Sequence, residues 1–312
     1  MNSNSTIILS IVVPVFSEET NINHAISRIM NNVNSLNISY EIIFVDDGST
    51  DQTWEMITKA GQIHSQVKGL RFSRNFGKEN ALFAGLSYAQ GKAVITIDGD
   101  MQHPPELISD MYSCWENDGF EIIDVAKKSR PKESFFYKLN SIIFYSLFKK
   151  LTNLEIFNST DYKLLDRKVV DSILRLPEKQ RFYRGLTSWV GFKHKTIKVN
   201  MPDRVSGRTK WNILTLINYA TNNIFNFTAK PLLLIGFLGL FFLILSFVLS
   251  IISFVRVIMH STKEGFPTII LLVLLVGGII IFSQFLIGIY ISKLFEEVKD
   301  RPSYIVKDKV NF

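Results

Sequence analysis

The sequence predicts an α/β domain built on a largely parallel sheet, followed by two helices long enough to span a membrane, and three observations predict it. Short apolar runs alternate with helically spaced apolar residues from Ile7 to about Ala89. Three of the runs end in loops rich in polar and acidic residues: Pro14 to Glu19, Asp46 to Asp51 and Asp98 to His103. Beyond Pro231, two stretches, Leu232 to Val255 and Ile269 to Ser292, contain no charged residue.

The elements follow in order. Ile7 to Val13 reads as a buried strand; it is short, and broken by Ser10 and Pro14, so it does not read as a secretory signal. Ile22, Ala25, Ile26, Ile29, Met30 and Val33 recur at helical spacing. Glu41 to Val45 is a second strand, and a helix with Trp54, Ile57 and Ile63 on its apolar side follows. Gly69 to Ser73 is a third strand, Glu79 to Ala89 a helix, and Ala93 to Ile97 a further strand. In an open parallel sheet, ligands bind at the carboxyl ends of strands, so the three polar loops are expected to converge on one crevice.

Composition narrows the classes. The chain has 312 residues, is 47% hydrophobic, contains 25 Phe and carries a formal charge of +7. No Lys/Arg-rich run interleaved with aromatics is present, so a nucleic-acid partner is not expected; an anionic membrane surface or phosphate-bearing substrates suit the charge better. The single cysteine, Cys114, excludes an intrachain disulfide and suits a reducing compartment. Each uncharged stretch covers the ~30 Å hydrocarbon core at ~1.5 Å per residue. Lys293, Lys299, Arg301, Lys307 and Lys309 follow the second, which places the tail and the N-terminal domain in the cytoplasm.

The chemistry is concentrated in Asp98-Gly99-Asp100. Two carboxylates two residues apart at a strand end are expected to point the same way, and Gly99 between them to admit a ligand close to the backbone. Such oxygens hold a hard cation, Mg²⁺ or Mn²⁺, that shares its shell with phosphates, and Gln102 adds a third oxygen. The same residues also suit a simple turn. In Asp46-Asp47-Gly48-Ser49, a strand-end carboxylate suits a base N–H or a ribose hydroxyl, while Ser49 or Thr50 suits a helix cap. The P-loop and G-x-G-x-x-G patterns are both missing from the sequence.

IVVPVFSEE, EIIFVDDGSTD, RNFGKENALFAGL, ITIDGDMQHPPE, DYKLLDRKVV and QRFYRGLTSWVGF, in this order and ahead of the two apolar stretches, resemble the family-2 glycosyltransferases that act on polyprenyl phosphate. Within that family the chain is most similar to bactoprenol glucosyltransferases, with dolichol-phosphate mannose synthases more distant. The resemblance implies a GT-A fold (nucleotide-sugar-binding and Rossmann-like), a nucleotide-sugar donor, a divalent metal and inversion at the anomeric carbon. By that resemblance Pro14, Phe16 and Glu18 contact the nucleotide, with Phe16 and Ser17 replacing the usual Tyr and Asn. Asp46 and Asp47 match nucleotide-binding aspartates; Asp98, Asp100 and Gln102 match the metal set; Arg74, Asn75 and Lys78 match a segment near the donor phosphates. Asp161 matches a family aspartate, read here as orienting or polarising rather than as a proven base. Arg130 aligns with a family arginine on the acceptor side. Arg204, Arg208 and Lys210 match a loop near the donor and acceptor phosphates.

The implied organisation is a cytoplasmic GT-A domain over 1–210, with an aromatic-rich interfacial helix at about 134–151, and a juxtamembrane helix over 211–230. Spans over 231–256 and 269–292 flank an external loop at 257–268, and a cytoplasmic tail covers 293–312. The implied reaction moves a hexose, glucose from UDP-glucose, onto undecaprenyl phosphate at the bacterial cytoplasmic membrane. Homotetramers, a flippase and a second glycosyltransferase acting downstream follow by the same resemblance. Another sugar on the same lipid, or a membrane-anchored binding protein without turnover, is the alternative. Retention of Asp98, Asp100, Gln102, Arg204 and Lys210 argues against the binding protein, and a transporter would show charges inside its spans.

Overall fold

The protein is described here from a computed structural model, which covers residues 6–127, 150, 159–179, 181–199, 228, 230–258 and 266–312. The chain divides into two compact units, Met1–Lys210 with Pro302–Phe312, and Trp211–Arg301.

The first unit is an α/β sandwich. Strand β1 (Leu9–Val15), helix α1 (Ile22–Asn34), β2 (Tyr40–Asp46), α2 (Thr53–Ile63), β3 (Val67–Phe72), α3 (Lys78–Tyr88) and β4 (Ala93–Thr96) alternate as the periodicity predicts. A short 3-10 turn leads into α4 (Ile108–Glu116), followed by β5 (Ile122–Lys127), β6 (Ser159–Asp166), α5 (Arg167–Leu174), α6 (Tyr183–Trp189) and β7 (His194–Val199). Among the described residues the strands form one eight-stranded sheet, and its final member, β8 (Val306–Val310), comes from the far end of the chain. The order is β7-β5-β6-β4-β1-β2-β3-β8. The central β1, β2, β3 and β4 run parallel, whereas β6 pairs antiparallel with β4 and β8 antiparallel with β3.

Every residue of β1 and β2 is buried, which explains why both read as continuous apolar runs rather than alternating ones. Leu9, Ile11, Val13 and Val15 of β1 pack into one core with Ile22, Ile26 and Ile29 of α1, Trp54 and Ile57 of α2, and Ile108 and Met111 of α4. Ile63, read from the sequence among the apolar residues of α2, stands 75% exposed at the last turn of that helix, just before β3.

The residues after 293 were expected to form a tail. Residues 306–310 are instead an edge strand, because Val306, Asp308 and Val310 alternate with exposed Lys307 and Lys309. Lysines on an edge strand also discourage pairing with a further chain.

The second unit contains helices α7 (Lys230–Ile258) and α8 (Phe266–Val298). Leu233, Phe237, Phe241 and Phe247 of α7 and Ile281, Phe282 and Phe285 of α8 are all more than half exposed. Within α8 the stretch Leu275–Val298, 24 residues with a mean hydropathy of 2.0, is long and apolar enough to cross a membrane. The corresponding stretch of α7, Ile235–Leu249, is shorter. The interfacial helix at 134–151 and the juxtamembrane helix at 211–230 lie outside the described residues, apart from isolated positions.

Candidate active site

The carboxyl ends of β4, β1 and β2 are adjacent in the sheet, so the three polar loops do converge. Backbone N–H groups of Ser17, Glu18 and Glu19 donate to Ser49 Oγ, Thr53 Oγ1 and Asp51 Oδ2, at 2.9, 2.9 and 3.4 Å. This binds the loop after β1 to the loop after β2. Phe16 projects from it, 49% exposed, as an apolar ring available for stacking.

Asp46 and Asp47 shape the loops at the end of β2. Asp46 is fully buried. Its Oδ1 accepts the Ser49 N–H at 2.9 Å and the Ser49 hydroxyl, while Oδ2 has no hydrogen bond and faces Arg71 Nε at 3.6 Å. Asp47, 4% exposed, accepts the Phe76 and Gly77 N–H groups at 2.7 and 2.9 Å. Burial raises both carboxyl pKa values, against the lowering effect of those hydrogen bonds. Gly48 links the two loops: its φ is +74°, and a Cβ there would sit 2.5 Å from the Arg74 carbonyl carbon. The sequence assigned both aspartates to the nucleotide; in the structure their carboxylates are engaged by the protein's own loops.

The second pair is assembled by strand register. β4 and β6 pair antiparallel with Thr96 opposite Lys163, and carrying that register two residues further brings Asp98 beside Asp161. Lys78, the first residue of α3, bridges them, its Nζ 2.6 Å from Asp98 Oδ1 and 2.6 Å from Asp161 Oδ2. Arg184 of α6 grips Asp161 with two bonds, Nε to Oδ1 at 2.7 Å and Nη2 to Oδ2 at 3.0 Å. Burial alone would raise the Asp161 pKa, but Arg184 first and Lys78 next outweigh it and hold the group well below the usual carboxylate range. Asp98 is also lowered: burial opposes the charge, while His103 and Lys78 favour it. Burial disfavours the Lys78 ammonium, yet Asp98 and Asp161 leave its pKa raised. Beside this cluster, Glu79 accepts the Tyr183 N–H at 2.8 Å, holding the start of α6. Burial, then the Asp161 charge, pushes Glu79 up to about 7.

The Asp98-Gly99-Asp100 segment differs from expectation in one respect. β4 ends at Thr96, Asp98 lies just beyond it and Asp100 sits in the turn that follows, with Met101 at φ +51°, so strand alternation does not align the two aspartates. Asp98 faces Lys78 and Asp161, while Asp100 is exposed and accepts the Gln102 N–H at 3.1 Å. The close approach at Gly99 is made by the protein itself: a Cβ would lie 2.6 Å from Val15 Cγ1 and 3.2 Å from the Pro14 carbonyl oxygen. Among the described residues no three His, Cys, Asp or Glu side chains cluster as a metal site. Asp98, Asp100 and the Gln102 amide remain a set of hard oxygen donors. An incomplete set of this kind fits Mg²⁺ or Mn²⁺ that completes its shell with ligand phosphates.

Of the residues singled out from the sequence, Pro14, Phe16, Glu18, Asp46, Asp47, Lys78, Asp98, Gly99, Asp100, Gln102 and Asp161 lie on the three loops or in the cluster beside them. Arg74 is exposed, its guanidinium 4.7 Å from the Phe76 ring centre. Arg130, Arg204, Arg208 and Lys210 lie outside the described residues. Arg184 and Glu79 received no role from the sequence. The available signal was a Tyr-Arg pair opening a helix and an acid next to Lys78.

The model of glycosyl transferase family 2 matches residues 10–174, which include both aspartate pairs. An uncharacterized glycosyltransferase of Synechocystis sp. is 39% identical, over 97% of this chain and 96% of its own length. The bactoprenol glucosyl transferase derived from prophage SfII of Shigella flexneri is 34% identical, over 96% of this chain and 97% of its own. Among solved structures, mannosyl-3-phosphoglycerate synthase from Rubrobacter xylanophilus overlays with a TM-score of 0.49 at 17% identity, covering 70% of this chain and 72% of that one. With a family match over more than half its length and relatives of this identity along nearly all of it, the chain belongs to glycosyl transferase family 2 and is a glycosyltransferase.

Proposed function

We propose that the protein transfers glucose from UDP-glucose to undecaprenyl phosphate, with inversion, at the cytoplasmic face of a bacterial membrane. The observation that carries the reading is the near full-length similarity to bactoprenol glucosyl transferases, in a chain whose strand-end site brings two cations onto Asp98 and Asp161. A GT-A reading of the sheet and a donor seated over the ends of β4, β1 and β2 accompany it. Pro14, Phe16 and Glu18 would border the nucleotide, with Asp46 and Asp47 fixing the loops around it.

The bond from the anomeric carbon to the nucleoside diphosphate breaks as a bond to the lipid phosphate oxygen forms. The diphosphate leaves with the electron pair. A phosphate monoester has its second pKa near about 6, so at neutral pH the acceptor is already a nucleophile and no strong base is needed. Asp161, held anionic by Arg184 and Lys78, is a weak base and serves instead to position those cations. Lys78 would stabilise the charge that develops on the departing diphosphate. Asp98, Asp100 and Gln102 would hold Mg²⁺ or Mn²⁺, which when bound neutralises diphosphate charge. Arg130 and Arg208 are assigned to the acceptor phosphate, and Arg204 and Lys210 to the reacting phosphates.

Two membrane spans, α7 and α8, complete the reading. Connectivity supports an even number of crossings: β8 follows α8 in sequence yet pairs with β3. The basic residues after α8 favour the cytoplasmic side for that sheet. A reporter fused after Phe312 should read cytoplasmic and one inserted between residues 259 and 264 external; the opposite pattern sinks the topology. A homotetramer, a flippase and a downstream glycosyltransferase remain part of the proposal, testable by cross-linking in membranes and by genetic loss of each partner.

The reaction is tested with purified protein, undecaprenyl phosphate and a panel of radiolabelled UDP-sugars. The proposal predicts label from UDP-glucose in the organic phase with release of UDP. Label entering the lipid only from a different sugar, or no lipid label at all, contradicts it.

A further inference from the structure

The C-terminal strand carries an inference about the donor site. β8 adds to the edge of β3 with Leu70 opposite Lys309 and Arg71 opposite Asp308. The register shifts between Arg71 and Phe72, and Ser73 N–H donates to the Ile305 carbonyl at 3.0 Å. At the far end, the Asn311 amide donates to the carbonyls of Gly61 and Val67 at 2.7 and 2.8 Å. Residues 304–311 are therefore docked on the sheet, and two of their side chains meet β3 close to the loops of the site.

The first is Tyr304. Its ring stacks on Phe72, centres 5.0 Å apart with planes 17° apart, and its hydroxyl lies 3.0 Å from Ser87 Oγ on α3. Phe72 in turn meets Phe76 edge-on at 5.7 Å. Phe76 and Gly77 supply the two N–H groups that hold Asp47. The second is Asp308, 3.9 Å from Arg71 Nη1. Arg71 is the cation facing the unbonded Oδ2 of buried Asp46, and it also donates to the Ser49 carbonyl at 3.3 Å.

We propose that this tail is a positioning element of the donor site. Tyr304, through Phe72 and Phe76, fixes the loop that carries the amides on Asp47; Asp308, through Arg71, fixes the turn built on Asp46. A site held to sub-ångström tolerance depends on such a supporting layer. The chain that leaves α8 thus closes back onto the loops that grip the nucleotide. The inference rests on the nucleotide-sugar reading of those loops.

The test uses the full-length protein in detergent. UDP affinity is measured by calorimetry, and amide exchange is followed at Phe76 and Gly77 without ligand. Tyr304→Ala should weaken UDP binding and raise the donor KM by about three- to tenfold, with kcat changed less than about twofold, the pattern of a lost binding contribution. Exchange at Phe76 and Gly77 should speed up by a similar factor. Tyr304→Phe, which keeps the stack, should restore affinity to near that of the wild type. Asn311→Ala, which loosens the tail at its other end, should lower the melting temperature without moving donor KM. If Tyr304→Ala leaves exchange at Phe76 and Gly77 unchanged, or if Asn311→Ala raises donor KM as much as Tyr304→Ala, the positioning role is wrong. If the wild type binds no nucleoside diphosphate, the donor reading falls, while the exchange measurement still decides whether Tyr304 orders the loop.

Discussion

At one end of the sheet stand two pairs of aspartates, one held by neutral hydrogen-bond donors and the other by cations. Asp46 and Asp47 accept N–H and hydroxyl hydrogens from Ser49, Phe76 and Gly77, with Arg71 only at 3.6 Å. Asp98 and Asp161 share Lys78 at 2.6 Å each, and Arg184 doubles its grip on Asp161. The electrostatic outcome is opposite: burial raises the first pair, whereas Arg184 and Lys78 lower Asp161, and a His103 hydrogen bond together with Lys78 lowers Asp98. The difference separates two tasks. Neutral donors around a carboxylate set the shape of loops, whereas cations around a carboxylate hold positive charge at the strand ends, where the proposed reaction has its diphosphate leave.

The largest effect is expected where the cation-held pair meets the metal set. Asp100→Asn should lose most of the activity, on the order of a hundredfold, since a charge-assisted contact is worth roughly 1.5–3 kcal/mol and more than one phosphate contact depends on it. The variant should remain folded and membrane-bound, and EDTA should reproduce the loss. Full activity in EDTA would detach Asp98 and Asp100 from any metal role and leave Asp98 as a partner of Lys78.

A smaller effect sharpens the boundary between the pairs. Glu79 lies beside the cation-held cluster yet behaves like the other pair, its pKa pushed up to about 7 by burial and by Asp161. A raised carboxyl pKa means that the folded protein binds a proton the unfolded chain releases. Stability from this group is therefore lost as pH rises from about 4.5 to about 7. Glu79→Gln keeps an acceptor oxygen for the Tyr183 N–H. Its melting temperature should gain on the wild type as pH rises through that window. A difference between the two that is flat from pH 5 to 8 would show that Glu79 is ionised throughout.

Much of this was legible in the sequence, and the reasons are particular. β1 and β2 announced themselves as unbroken apolar runs because helices cover both their faces. The three polar loops could be placed together because parallel strands put their carboxyl ends on one edge. Asp98 and Asp161 were each singled out, but their partnership depends on an antiparallel register between β4 and a strand more than sixty positions later. Arg184 was hidden for the same reason: its meaning comes from α6, the second helix after β6, packing against β6, and locally it shows only as part of a Tyr-Arg pair. The alternation of Val306, Asp308 and Val310 with lysines was a strand signal. A run of basic residues after an apolar stretch also reads as a membrane-flanking tail, and that reading masked the strand.

The division of labour between the two pairs is tested most directly by setting nucleotide binding against turnover in Asp47→Asn and Asp161→Asn, side by side. UDP affinity comes from calorimetry and turnover from lipid-linked label at saturating donor and acceptor. The account predicts that Asp47→Asn weakens UDP binding about tenfold, because only one acceptor oxygen remains for the Phe76 and Gly77 amides, while turnover at saturation falls far less. Asp161→Asn should keep UDP affinity within about threefold and lose turnover on the order of a hundredfold, because its cations lose their anchor. The reverse pattern, with Asp161→Asn failing to bind nucleotide and Asp47→Asn binding normally but not turning over, would contradict it.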